Sequence, residues 1–232
     1  MAKKKAKSVV DNQLEVGEIV SKTEQFIDKN KKAIIYVAIG IVAVVGLFLG
    51  FKHGYSAPRE QKASVALFKG EQYFAKDNYE QALNGNGADY IGFEKIIDSY
   101  GSTKAGNLAK AYAGISYFRM GNNESALKHL KSFKAKDDMV SPSVIGLIGD
   151  CYVNMGNVKE GITYFERAAA QADNNVVSPT YLKKAGIAYE NLERYGDAVK
   201  AYTKIKEKYS ASMEAMDIDK YITRAQLLAD KK

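Results

Sequence analysis

An all-α chain is predicted: one N-terminal transmembrane helix followed by a solenoid of helical hairpins. Three observations predict it. Residues 33–51, AIIYVAIGIVAVVGLFLGF, carry no charge, no amide side chain and no proline. A Gly-x2-Tyr element, with a small residue twelve positions after the glycine, occurs four times further on. No stretch shows the alternation of apolar and polar residues that marks a half-buried strand.

The chain opens with a tail, 1–32, that starts on Lys3, Lys4, Lys5 and Lys7. From Val9 the apolar residues Val16, Ile19, Val20, Thr23, Phe26 and Ile27 fall on one side of a helix. Such a segment either lies on a membrane or docks a partner, or it is a plain juxtamembrane helix that runs on into the span. Both readings stay open.

Residues 33–51 would make a helix about 28 Å long, close to the roughly 30 Å hydrocarbon core of a bilayer. A core helix would show a polar face, and this one has none. A signal peptide has an apolar run of only about 7–15 residues and a small-residue cleavage site, whereas Lys52-His53-Gly54-Tyr55 follows here. Gly46, Gly50 and Gly54 recur at four-residue spacing, which lets a second helix approach closely in lipid; ordinary glycine content of membrane helices explains the same spacing. The lysines before the span slightly outnumber the basic residues after it, which orients the tail inside and the domain outside.

Net charge is +7. The tail contributes +3 and residues 52–232 contribute +4, with the basic residues scattered. No arginine-rich stripe appears, and nucleic-acid binding is not expected. The single cysteine, Cys151, excludes an intramolecular disulfide.

A linker, 52–62, leads to four hairpins over 63–209. The repeating glycines are Gly70, Gly114, Gly149 and Gly186; the tyrosines are Tyr73, Tyr117, Tyr152 and Tyr189. The small residues at the twelfth place are Ala82, Ala126, Gly161 and Ala198. The glycines are 44, 35 and 37 residues apart, so the first repeat holds an insertion of seven, at 84–90. In each hairpin a small residue on the first helix lets the second approach, and apolar pairs such as Leu130 and Phe133 fill the space between hairpins. Met120-Gly121-Asn122 and Met155-Gly156-Asn157 read as the turns, with glycine ending the helix. One hairpin cannot bury its own apolar stripe, so the hairpins must stack. Residues 210–232 read as a terminal capping helix, with Ile218, Tyr221, Ile222, Ala225 and Leu228 on one face.

This pattern resembles the tetratricopeptide repeat, over roughly residues 63–209. The usual tryptophan of the first helix is absent. In that family the first helices of the hairpins line a concave surface that binds protein segments. The resemblance implies a groove built from Phe74, Ile115, Phe118, Asp150, Val153, Lys183, Ile187 and Glu190. Some members clamp a peptide carboxylate with a lysine and an asparagine. The corresponding places here hold Leu67 and Glu71, Ala111 and Ile115, Gly146 and Asp150, Lys183 and Ile187, and none has the pair.

Chemistry is scarce. His53 and His129 lack partners at metal-ligand spacing. The Asn84-Gly85-Asn86-Gly87-Ala88-Asp89 loop follows a helix and lacks the Gly-Lys-Ser/Thr of a phosphate-binding loop. Asp137-Asp138 reads as a solvated connection. A binding protein is expected rather than an enzyme, with no cofactor and no metal.

The whole chain is similar to the bacterial ancillary translocon subunits of the YfgM type. The stretches that carry the likeness are Glu24–Lys32, Ala105–Ala109 and Ile218–Ile222. The resemblance implies a single-pass inner-membrane protein, with a cytoplasmic N-terminus and a periplasmic domain. It also implies association with the Sec translocon and a membrane-bound periplasmic chaperone of the peptidyl-prolyl isomerase type. A scaffold for another envelope machine, in cell division or outer-membrane assembly, needs the same tether and groove and remains the alternative.

Overall fold

A computed structural model of the chain describes residues 2–231, with side chains described from Phe26 onward, Asp28 excepted. Of the apolar face expected on the tail, Phe26 and Ile27 fall among the described side chains, where both are exposed, and the rest lies outside them. Contacts divide the chain into two compact units, 1–58 and 59–232.

The first unit is helix α1, Ala2–Phe51, followed by a π-helical turn at Lys52–Ser56. The helical stretch Lys29–Phe74 holds a window of mean hydropathy 2.7 with none of it buried, long and apolar enough to cross a membrane. Gly46, Gly50 and Gly54 have nothing within 4 Å of a notional Cβ, so this face of the helix is open. The stretch 52–62, read as a linker, is itself helical.

The second unit is all helix. Helix α2 (Ala57–Phe74) is followed by α3 (Tyr79–Asn84) and α4 (Phe93–Tyr100). Then come α5 (Lys104–Arg119) with α6 (Asn123–Ser132), and α7 (Val140–Asn154) with α8 (Val158–Ala172). Helices α9 (Ser178–Asn191) and α10 (Tyr195–Lys208) complete the hairpins, and α11 (Ile218–Ala229) ends the array. No strand occurs among the described residues.

The repeating glycines sit where helix meets helix. A Cβ on Gly114 would stand 2.5 Å from Leu130 Cγ, one on Gly149 2.7 Å from Phe165, and one on Gly186 2.2 Å from the Tyr202 ring. In the first hairpin Gly70 meets Phe93 in the same way, at 2.3 Å. These four partners are all buried, at 3 % exposure or less. The small residue on the first helix thus admits the large residue of the second.

The insertion splits the second helix of the first hairpin into α3 and α4. Gly85, Gly87 and Gly92 all take positive φ between them. The loop is not slack. The Asn86 carboxamide oxygen accepts from the N–H groups of Ala88, Asp89 and Tyr90, and its nitrogen donates to Tyr73 Oη at 2.9 Å. Asp137 is exposed, as read, and also caps α7: its carboxylate accepts from the N–H groups of Met139, Val140 and Ser141. Helix α5 is capped twice, by Thr103 Oγ1 accepting from Gly106 N–H and by Glu60 of α2 accepting from Lys104 and Ala105.

Candidate functional site

Helices α5 and α7 run beside each other as the first helices of adjacent hairpins, and a groove of about 700 Å³ opens between them. From α5 it is lined by Leu108, Ala111, Tyr112, Ile115 and Phe118. Met139, Val140, Ser143, Val144 and Leu147 form the opposite wall. Tyr181 of α9 closes one end. Its ring lies on Gly146, where a Cβ would stand 1.9 Å away, and its hydroxyl donates to Ser143 O at 3.1 Å. Burial and the neighbouring Asp150 push the Tyr181 phenol up to about 12, so it stays protonated. Arg119 is the one charged residue on the lining.

The expected groove residues do not stay together. Ile115 and Phe118 line the groove. Phe74 stands behind it, edge-on to Tyr112 at 5.0 Å between ring centroids. Val153 turns toward the partner helix: a Cβ on Gly161 would stand 2.5 Å from Val153 Cγ2.

The charged members are bound within the domain. Asp150 pairs with Lys184 at 2.7 Å. Lys183 pairs with Asp217 at 3.0 Å and lies over the Tyr221 ring at 4.5 Å. Burial would lower the Lys183 pKa, but Asp217 and Tyr221 outweigh it and hold the ammonium above its usual range. Glu190 accepts from Tyr202 Oη at 2.8 Å and from Arg224 at 2.9 Å. The terminal segment thus occupies the charged part of the face expected on the fourth hairpin, and Ile187 is left 44 % exposed beside it. The physical reason is that α11 packs on α10, which brings Asp217, Tyr221 and Arg224 onto this face.

Sequence reasoning passed over Leu108, Tyr112, Met139, Val140, Leu147 and Tyr181. Leu108 lies two helical turns before Ile115 on the same face of α5 and was within reach of that helix's geometry. Met139 belongs to a connection, and Tyr181 reaches across from the next hairpin, so no spacing within one repeat marks either.

Cys151 is fully buried, and burial pushes its thiol up to about 11. Among the described residues no group of three or more His, Cys, Asp and Glu side chains could hold a metal ion.

Residues 142–175 and 182–212 each match a model of the tetratricopeptide repeat family. No curated protein matches the chain. Among solved structures it is similar to a putative kinesin light chain of Podosopora anserina with nearly identical TPR-like repeats, at TM-score 0.54 and 11 % identity, covering 75 % of this chain and 89 % of that one. It is also similar to the MamA protein, at TM-score 0.52 and 17 % identity, covering 73 % and 93 %. The domain therefore has the tetratricopeptide-repeat fold, and its third and fourth hairpins carry that family's sequence pattern as well.

Proposed function

We propose that this chain is a membrane-tethered, non-enzymatic adaptor that holds an apolar segment of a partner protein in the groove between α5 and α7. The observation that carries the reading is the groove itself: a concave, almost uncharged surface whose rim residues Met139 and Val140 are 46 % and 50 % exposed. Apolar side chains gathered in one concavity are a binding feature, whereas single exposed ones are not.

The finer assignment rests on the likeness in the tail, the second repeat and the C-terminal helix. The chain spans the bacterial inner membrane once through residues 33–51, with the lysine-rich tail in the cytoplasm and the repeat domain in the periplasm. There it serves as an ancillary subunit of the Sec translocon and passes exported proteins to the membrane-bound isomerase-type chaperone.

A photocrosslinking side chain placed at Ile115 or Leu147 in living cells tests both levels. Crosslinks to a translocon subunit, the chaperone or an exported protein are expected from these positions and not from exposed Lys200. Crosslinks to a cell-division or outer-membrane-assembly component would keep the adaptor and replace its machine. Labelling only from Lys200 would remove the groove. A thiol probe that cannot cross the membrane should reach a cysteine introduced at Ser210 and not one at Ser8.

A further inference from the structure

We propose that a second site lies on the other side of α7, a basic cleft between the second and third hairpins, and that it takes an acidic segment of a partner protein with apolar side chains between its carboxylates. The cleft holds about 650 Å³ and is walled by α6, the connection after it, α7 and α8. Val144 borders both this cleft and the groove. The cleft is otherwise a different surface, and its chemistry is different.

Its floor is apolar. Leu130, Ile145 and Ile148 are 1 %, 6 % and 4 % exposed. Its rim is cationic, with Lys131, Lys134, Lys136 and Arg167 and no carboxylate among the lining residues. Two of the cations are held in place by aromatic rings. Lys131 Nζ donates to Tyr152 Oη at 2.6 Å and lies 4.9 Å from that ring's centre. Arg167 stands 5.6 Å over Tyr164, and Tyr152 and Tyr164 stack on each other at 5.3 Å. The cations therefore flank a fixed aromatic pair rather than moving freely, which reduces the ordering cost of binding.

The acids close by, Asp137, Asp138 and Glu160, offset part of the rim's charge, but none of them lines the cleft. Asp137 stays ionised but turns its carboxylate to the N–H groups that open α7. Glu160 acts on Lys131 only through its field. Lys134, Lys136 and Arg167 form no ion pair among the described residues. Four like charges around one concavity repel each other, and a ligand bearing carboxylates relieves that repulsion as it binds. The apolar floor sets the second requirement. A planar layer of lipid headgroups meets a rim and leaves a floor unfilled. A peptide segment can set carboxylates on the rim while its apolar side chains fill the floor.

The test uses the full chain in nanodiscs of neutral lipid. The probes are a short fluorescein-labelled peptide alternating glutamate with leucine, and the same peptide with glutamine for glutamate. Anisotropy should show the glutamate peptide binding and the glutamine peptide binding about tenfold or more weakly. Lys134→Glu with Lys136→Glu should abolish the difference, and since both residues are exposed an unchanged melting curve verifies the fold. Raising salt from about 0.01 M to about 0.15 M shortens the screening length from about 30 Å to about 8 Å and should weaken binding. Equal binding of the two peptides, or full binding by the double variant, overturns the proposal. So does co-sedimentation with phosphatidylglycerol vesicles that depends on Lys134 and Lys136 without any binding of the glutamate peptide, because the cleft is then a lipid site. Lys200→Glu, an exposed position on α10 that lines neither surface, should leave peptide binding unchanged.

Discussion

Tyr117 Oη donates to Glu94 Oε1 at 2.7 Å, and this bond ties the second hairpin to the first. The same step recurs along the array. Tyr189 Oη donates to Glu166 Oε1 at 2.7 Å between the fourth and third hairpins. Between the third and second the sense reverses, and Lys131 Nζ donates to Tyr152 Oη at 2.6 Å. Burial, with the carboxylate beside it, pushes the phenols of Tyr117 and Tyr189 up to about 12, so both remain donors. Tyr73 has no preceding hairpin, and Asn86 of the insertion serves it instead.

A hydrogen bond to a charged group contributes about 1.5–3 kcal/mol when well buried. Glu94 is one-third exposed, which places this bond at the low end. Tyr117→Phe should lower the unfolding free energy by about 1–2 kcal/mol in urea titration. A double-mutant cycle with Glu94→Gln should show a coupling of about 0.5–1.5 kcal/mol. Additive losses would mean that the two side chains act independently.

The crossing glycines make a paired prediction. Gly186→Ala places a methyl group 2.2 Å from the Tyr202 ring, which is fully buried and held by Glu190. The helices must separate, and such overpacking costs about 1–3 kcal/mol. Gly196, in the first turn of α10, has nothing within 4 Å of a notional Cβ. Gly196→Ala should therefore stabilise the domain by about 0.4–1 kcal/mol through the unfolded chain. Opposite signs in the two melting curves are the expected result. A shift of the same sign in both would show that helix propensity, not the crossing, dominates at Gly186.

His129 gives a pH prediction. Its ring is buried, stacks on Tyr117 at 5.4 Å and places Nε2 3.0 Å from Glu94 Oε1. Burial lowers its pKa, helped by Lys128; Glu94 and Asp98 oppose this without overcoming it. The neutral ring donates to Glu94. In the unfolded chain histidine titrates at about 6.5, so below that pH the unfolded state binds the proton more readily. The stabilising contribution is complete above about 6.5 and is lost as the pH falls toward the folded pKa. The urea midpoint should drop between pH 7 and pH 5, and His129→Gln should flatten that drop while keeping a donor to Glu94. Asp89, Asp197 and Asp217 have pKa values lowered by their lysine or arginine partners. Their loss comes at lower pH, below the range of this comparison. A slope unchanged by the substitution would count against His129.

These details show which parts of the molecule sequence could reveal. Gly70, Gly114, Gly149 and Gly186 were legible because each must admit a large side chain, and only glycine fits at a constant spacing. The residues that answer the tyrosines were not legible, because Glu94, Lys131 and Glu166 fill the same place with opposite charges. Any polar side chain of the right reach serves there. The groove was half legible. Ile115 and Phe118 follow from one helix's geometry, whereas Tyr181 depends on how far the next hairpin leans over Gly146. Lys183 and Glu190 were assigned to an open face because a spacing rule within one repeat does not register the segment that packs next to it, here Asp217 and Arg224.

The groove itself is best tested at its rim. Phe118 packs on the core cluster around Leu130 as well as lining the groove. Phe118→Ala therefore lowers stability by about 2 kcal/mol or more, and any loss of partner would be ambiguous. Val140 is half exposed and is the first residue of α7. A glutamate there is favoured by the positive end of the helix and opposed by the Asp137 carboxylate that already caps it, so Val140→Glu should melt within about 0.5 kcal/mol of the parent. A docked apolar segment would have to bury that carboxylate unpaired, a cost of several kcal/mol. Recovery of the partner with the tagged full chain in mild detergent should fall about tenfold or more. Val140→Ala, which removes area but adds no charge, should fall much less. Normal recovery with Val140→Glu would place the partner on another surface, and a low melting point would place Val140 in the core.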